Sequence, residues 1–134
     1  MENKNEGRIE VLKGSWEDAA EGYTAEHAVF EVLPGKKDMG ILREACLMAM
    51  QEADAAGAVL VNLPSVPNAP EPSSVFQACS VMYAAIKSYM AEHDRPSKVR
   101  IFCTDDEVFR LYMVVWNLYY ATDKNMRMND GRWD

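Results

Sequence analysis

The chain has no apolar run approaching the ~20 residues that a membrane-spanning helix requires. Its start, M-E-N-K-N-E-G, also lacks the apolar core of a signal peptide. Cysteine is scarce: Cys46, Cys79 and Cys103 are odd in number, far apart and set among apolar neighbours, with no C-x-x-C pair. That pattern excludes a disulfide framework and a sulfur-rich zinc site, and reads as small core residues. Cys103 is the one of the three placed at a strand end, on the side where sites form. Basic charge is short as well. Fourteen Lys and Arg face 21 Asp and Glu, for a net charge of −7 with no basic stripe, so a nucleic-acid partner is not expected. There is no H-E-x-x-H, G-x-S-x-G or P-loop pattern. His27 and His93 have no Cys or carboxylate partner at ligand spacing. No catalytic residue, metal site or cofactor is therefore assigned, and a cytoplasmic protein without membrane partners is expected.

What remains is ordinary globular composition, 49% hydrophobic and 26% charged over 134 residues. That length suits one domain, and a chain of this size buries about 70% of its unfolded surface without metal or disulfide. Residues 1–7 and about 122–134 are expected as flexible tails. Arg8 to Lys13 alternates charged and apolar residues, as a half-exposed edge strand would. Ala28 to Leu33 reads as a second strand, stopped by Pro34-Gly35. Asp38 caps a helix reaching about Ala56, whose stripe is Ile41, Leu42, Ala45, Met48, Ala49 and Ala53, and Gly57 ends it. Ala58 to Leu63, A-V-L-V-N-L, has the near-continuous apolar character of a central parallel strand. Ser74 with Gln77 forms a capping box that starts a second helix, ending near His93. Its stripe is Val75, Cys79, Met82, Tyr83, Ile86, Tyr89 and Met90. Val99 to Cys103 is the last strand. Thr104 with Glu107 makes another box, opening a third helix that reaches about Ala121.

The order β, β-α-β-α-β-α predicts an α/β fold with a small, mixed but mostly parallel sheet of about four strands. Right-handed crossovers put the first two helices on one face. The third is expected on the other, giving a three-layer α/β/α sandwich.

The segment L-P-S-V-P-N-A-P-E-P-S-S-V-F, Leu63 to Phe76, occupies the turn from a strand's carboxyl end into a helix, where open α/β domains usually bind ligands. It stands within a longer likeness. V-F-E-V-L-P-G, I-L-R-E-A-C-L-M-A-M-Q-E-A, A-G-A-V-L-V-N-L-P-S-V and F-C-T-D-D-E-V-F follow one another as strand, helix, strand with phosphate loop, and final strand with helix start. From about Ala28 to Tyr120 this succession resembles the later half of a macro domain, the ADP-ribose-binding α/β module. The resemblance implies that fold and a nucleotide site at the strand ends. The chain departs from the family in three places. Ser15, in L-K-G-S-W, stands where the family has its adenine-addressing Asp. The strand bearing the hydrolases' asparagine has no counterpart, which makes this a shortened member. The Gly-rich phosphate loop is replaced by S-V-P-N-A-P-E-P-S-S. Pro67, Pro70 and Pro72 have no N–H to donate and fix φ near −65°. No glycine supplies the left-handed turn of an anion nest, and Glu71 opposes a phosphate. Each lost charge-assisted hydrogen bond is worth roughly 1.5–3 kcal/mol, so two or three reduce a micromolar site to a negligible one.

The expected function is accordingly a non-catalytic, shortened macro-like module acting in binding or assembly, with nucleotide recognition weakened or lost. The alternatives are a retained ADP-ribose or nucleotide binder and, last, an ADP-ribosyl hydrolase on the same scaffold. A nucleotide-like ligand would meet Asn62, Ser65, Asn68, Ser73 and Ser74, with Lys36 and Lys37 nearby. Bland readings compete at each: Ser74 as a cap, Asn62 as a partner of local backbone, the lysines as solvated. Asp105, Asp106 and Glu107 read as acids favoured by the positive end of a helix. The third helix, V-F-R-L-Y-M-V-V-W-N-L-Y-Y, is apolar almost all round. One stripe, Tyr112, Val115, Trp116 and Tyr119, is expected to stand free for homodimerisation.

Overall fold

The computed structural model describes residues 8–19, 21–24, 39–120 and 126–129. Strands β1 (Arg8–Lys13), β2 (Tyr23–Thr24), β3 (Leu60–Pro64), β4 (Lys98–Cys103) and β5 (Met126–Asn129) form one sheet in the order β2-β3-β4-β1-β5. Every pairing is parallel. Helices α1 (Met39–Ala55), α2 (Pro72–Glu92) and α3 (Asp106–Tyr119) complete an α/β sandwich. The strand expected at 28–33 lies outside the described residues, as do Lys36, Lys37 and His27.

Period-two alternation decides which side is core. Ile9, Val99 and Val61 stand in one register row, and Val11, Ile101 and Leu63 in the next. All six are sealed from solvent. Side chains alternate across a strand, so both rows share one face, and Glu10, Arg100 and Asn62 between them share the other. Full burial of a Val, Leu or Ile side chain contributes about 1.5–3 kcal/mol, so the apolar rows hold this layer to its helices.

The helices cover the apolar face together. α1 buries Leu42, Ala45, Cys46, Ala49, Met50 and Ala53. Its stripe is rotated from the expected one, because Ile41 and Met48 are exposed and Cys46 and Met50 replace them. Gly57 ends the helix at φ +75°, donating to the Asp54 carbonyl at 2.9 Å, while Ala58 donates to Ala53 at 2.9 Å. The expected stripe of α2 is buried throughout. That helix starts two residues earlier than the capping box predicted. Pro72 sits in its first turn, where a missing N–H costs nothing, and Glu71 is the N-cap residue. α3 is capped by Asp105 rather than Thr104.

Three expectations about topology are corrected. β1 is an interior strand between β4 and β5 rather than an edge. Part of the expected C-terminal tail, Met126–Asn129, is β5 and pairs with β1. The third helix does not cross to the opposite face: α3 packs on α2, with the Tyr83 and Tyr112 rings perpendicular at 5.5 Å. The strand order explains this. The step from β4 to β5 continues the direction of β2 to β3 to β4, so a right-handed crossover lands on the same face each time. The step from β1 to β2 runs the other way, and its connection crosses the opposite face. That connection carries a 3-10 turn at Trp16–Asp18, which meets β3 and β4.

Candidate functional site

All strands are parallel, so their carboxyl ends share one side of the sheet. β4 leaves that side toward the helices, whereas β1 leaves it toward the other face. The diverging ends of β4 and β1 make the switch point at which open α/β sheets bind ligands. Lys13, Gly14 and Ser15 line one side of it, Cys103 to Asp106 the other. Gly14 takes φ +130° and donates its N–H to the Cys103 carbonyl at 2.8 Å, which draws the two ends together.

The crevice is acidic. The Asp105 carboxylate accepts from the Glu107 and Val108 amides at 2.8 and 3.2 Å. The Val108 N–H is the largest of several hydrogen bonds that hold the Asp105 carboxyl below its usual range. It also receives the Asn68 side-chain amide at 3.1 Å, and Asn68 reaches Glu107 at 3.3 Å. Asp106 pairs with Lys13 at 3.7 Å, and the same lysine lies 5.2 Å above the Phe109 ring. The positive end of α3 is thus neutralised by three carboxylates before any ligand arrives.

The proline loop is committed to the protein's own contacts. Ser65 donates its N–H to Phe102, Ala69 to its neighbour Asn68 Oδ1, and Ser74 and Val75 both to the Glu71 carbonyl. The Val66 N–H goes to the hydroxyl of Tyr112 at 3.2 Å, and that hydroxyl lies 2.9 Å from Met82 Sδ. Four amides of the 65–74 segment, those of Ser65, Val66, Ala69 and Ser74, are therefore spent internally, with that of Val75 behind them in α2, and Pro67, Pro70 and Pro72 have none.

The five residues expected to meet a ligand are not brought to one place. Asn62 is sealed at the middle of β3, on the face away from the helices, and donates to the Glu21 carbonyl at 2.7 Å. Ser65 lies on the helix-facing side, beside Cys103, and donates to the Val66 carbonyl at 3.2 Å. Asn68 is tied to the start of α3. Ser73 is exposed in the first turn of α2, and Ser74 Oγ donates to Glu71 Oε1 at 3.3 Å. Of the expected dimer stripe, Tyr112, Val115 and Trp116 are core, closed off by α2, and Tyr119 alone is exposed, at 61%. The apolar residues that α3 does present to solvent are Val114 and Leu118 with Tyr119.

The titratable groups offer little chemistry. Burial pushes the Cys46 and Cys103 thiols up to about 12, in Cys103 against a hydrogen bond from Ser65, and raises Cys79 further. Thiols held so far from ionisation are poor nucleophiles. His93 stacks on Tyr89 at 3.8 Å with its Nδ1 2.9 Å from the Tyr89 carbonyl. The Tyr89 hydroxyl donates to Asp54 at 2.8 Å, and burial with that carboxylate pushes it to about 12. Among the described residues no three His, Cys, Asp or Glu side chains converge as a metal site would need, and no helix is long and apolar enough to cross a membrane.

No protein-family model matches the chain, and no curated protein matches it significantly. The site must be read from its own geometry.

Five participants, Tyr112, Arg100, Glu10, Glu21 and Gly22, are not singled out in these roles by the sequence. Tyr112 was placed on a free stripe although it anchors the loop. Arg100 and Glu10, 2.9 Å apart, went unremarked although each is the charged member of an alternating strand. Two such strands side by side announce a polar row, and that signal was present in R-I-E-V-L-K and V-R-I-F-C. Glu21-Gly22 left no local signal, since its role depends on the sheet it crosses.

Proposed function

We propose that the chain is a non-catalytic, shortened macro-domain-like module that acts in binding or assembly, with recognition of ADP-ribose or another nucleotide weakened or lost. The observation that carries this reading is the amide accounting of the proline loop. A diphosphate needs several free N–H groups converging on its oxygens. Here four of the loop's N–H groups are held by protein acceptors and three positions have none to give. Glu71 and the Asp105–Glu107 carboxylates supply charge of the wrong sign at both neighbouring helix starts.

Among the described residues no thiol is activated as a nucleophile, which favours binding over catalysis. Cys103, the one thiol at the strand ends, is buried and kept protonated.

Isothermal titration with ADP-ribose tests the reading. No measurable heat is expected with ligand up to about 1 mM, the range in which binding free energy falls near 4 kcal/mol. Micromolar affinity would overturn it, and loss of that affinity in Ser74→Ala would assign the ligand to the start of α2.

A further inference from the structure

The face of the sheet away from the helices carries a second arrangement that the strand-end crevice does not use. Asn62, Arg100 and Glu10 stand side by side in register on β3, β4 and β1. Lys98 and Arg8 stand opposite one another two positions earlier on the same face, and Arg127 occupies the register position across from Glu10. Among the described strand side chains of this face, three basic residues, Arg8, Lys98 and Arg100, stand with one acid, Glu10, a local reversal in a chain of net charge −7.

The connection from β1 to β2 lies over this row, and one dipeptide holds it there. Glu21 offers both of its polar groups. Its backbone carbonyl accepts from Asn62 Nδ2 at 2.7 Å, and its carboxylate reaches Arg100 Nη1 at 3.5 Å. Gly22 follows at φ +97°, so close to the sheet that a Cβ there would sit 2.8 Å from Leu60 Cγ and 2.9 Å from Asn62 Nδ2. The fit selects glycine twice, by conformation and by space. The fit is also incomplete. Asn62 Oδ1 is sealed with no hydrogen-bond partner among the described residues, and the Arg100 contact is long, with the Glu21 side chain 68% exposed. A buried acceptor left unpaired disfavours the closed arrangement.

We propose that this face is a docking groove for an acidic, extended segment of another protein carrying Glu-Gly, and that Glu21-Gly22 occupies it in cis as a stand-in. The glutamate's carbonyl goes to Asn62 and its carboxylate to Arg100. The glycine lets the backbone lie against Leu60. Asn62 Oδ1 remains for a donor that the cis segment does not supply. Because the cis segment is tethered, it competes at a high effective concentration, and a partner gains entry when that contact is weakened. The groove lies on the opposite face from the proline loop, so its test stands apart from the ADP-ribose titration.

The test uses the full chain and a fluorescent peptide with the sequence of residues 17–24, E-D-A-A-E-G-Y-T. Gly22→Ala in the protein expels the cis segment, and peptide affinity measured by anisotropy is expected to rise at least tenfold over the unsubstituted chain. Adding Arg100→Met, or replacing the peptide's glycine by alanine, is expected to remove that gain. A folded Gly22→Ala protein that ignores the peptide, or that binds both peptides equally, overturns the groove. If Gly22→Ala does not fold, Glu21→Gln keeps the backbone and removes only the carboxylate. A smaller gain is expected from it, and no gain overturns the proposal equally. A dimer formed between Gly22→Ala and unsubstituted chains in the absence of peptide would give the groove to a second copy and overturn its assignment to a separate partner.

Discussion

The two faces of the sheet are built from the same three strands and behave as different materials. On one, Ile9, Val11, Val61, Leu63, Val99 and Ile101 are closed off by three helices, and the fit extends to a hydroxyl in the interior, where Tyr112 reaches Val66 and Met82. On the other, among the described residues, Asn62 and Arg100 meet the segment that crosses from β1 to β2 through a short hydrogen bond and a long ion pair. The difference arises from direction of travel. Each forward step across the sheet adds a helix to one side, and the backward step from β1 to β2 crosses the other. Among the described residues, a parallel sheet with one reversal is therefore left unequally covered, and the groove proposed above lies on its less covered side.

Mutations should separate the two faces, beginning with the helix side. Tyr112→Ala removes a fully buried ring and the acceptor of the Val66 N–H, and is expected to cost about 3–5 kcal/mol in urea unfolding. Tyr112→Phe retains the ring and isolates the loop amide, with about 1–3 kcal/mol expected. A Tyr112→Ala chain as stable as the parent would mean that the two faces are not distinguished by packing.

Across the sheet a smaller loss is expected. Arg100→Met leaves Glu10 without its 2.9 Å partner, but both side chains keep some solvent, 22% and 16% exposed. The cost should fall at about 1–2 kcal/mol, between exposed and buried pairs. A loss as large as that of Tyr112→Ala would place this row in the core instead.

The smallest effect belongs to the crevice between the faces. Asp105→Ala removes the α3 cap and is expected to cost about 1 kcal/mol at pH 7. The sign of its pH dependence follows from the lowered carboxyl. A depressed folded-state pKa contributes stability above the unfolded value of about 3.9, and that stability is lost as pH falls through the folded value. Asp105→Ala should therefore differ from the parent at neutral pH and converge with it in acid. A difference that persists unchanged into acid would rule out the carboxylate as its source.

Much of this was legible in the chain. The stripe of α2 was read correctly because Val75, Cys79, Met82, Tyr83, Ile86, Tyr89 and Met90 recur at helical spacing within one unbroken segment. Strands β3 and β4 announced themselves by apolar content and length. Position within the fold was harder. Thr104 and Asp105 are both capping residues, and only the turn geometry selected Asp105. Tyr112, Val115 and Trp116 looked like a surplus stripe because α3 is apolar on more sides than one sheet needs. α2 beside it takes the remainder. The proline loop is recognisable as poor in donors, yet nothing local shows that Phe102, Tyr112, Asn68 and Glu71 take up the amides of Ser65, Val66, Ala69 and Ser74.

The sequence by itself determined the alternation of strand and helix, the apolar rows, and a strand-end loop stripped of glycine and rich in proline. These depend on residue type and on periodicity over a few neighbours. Tertiary structure alone decided that β1 lies inside the sheet, that all three helices share a face, and that Glu21-Gly22 rests on Asn62 and Arg100. Those outcomes depend on which strands become neighbours, a choice made by long-range packing and crossover handedness between residues up to ~90 positions apart, as Glu10 and Arg100 are.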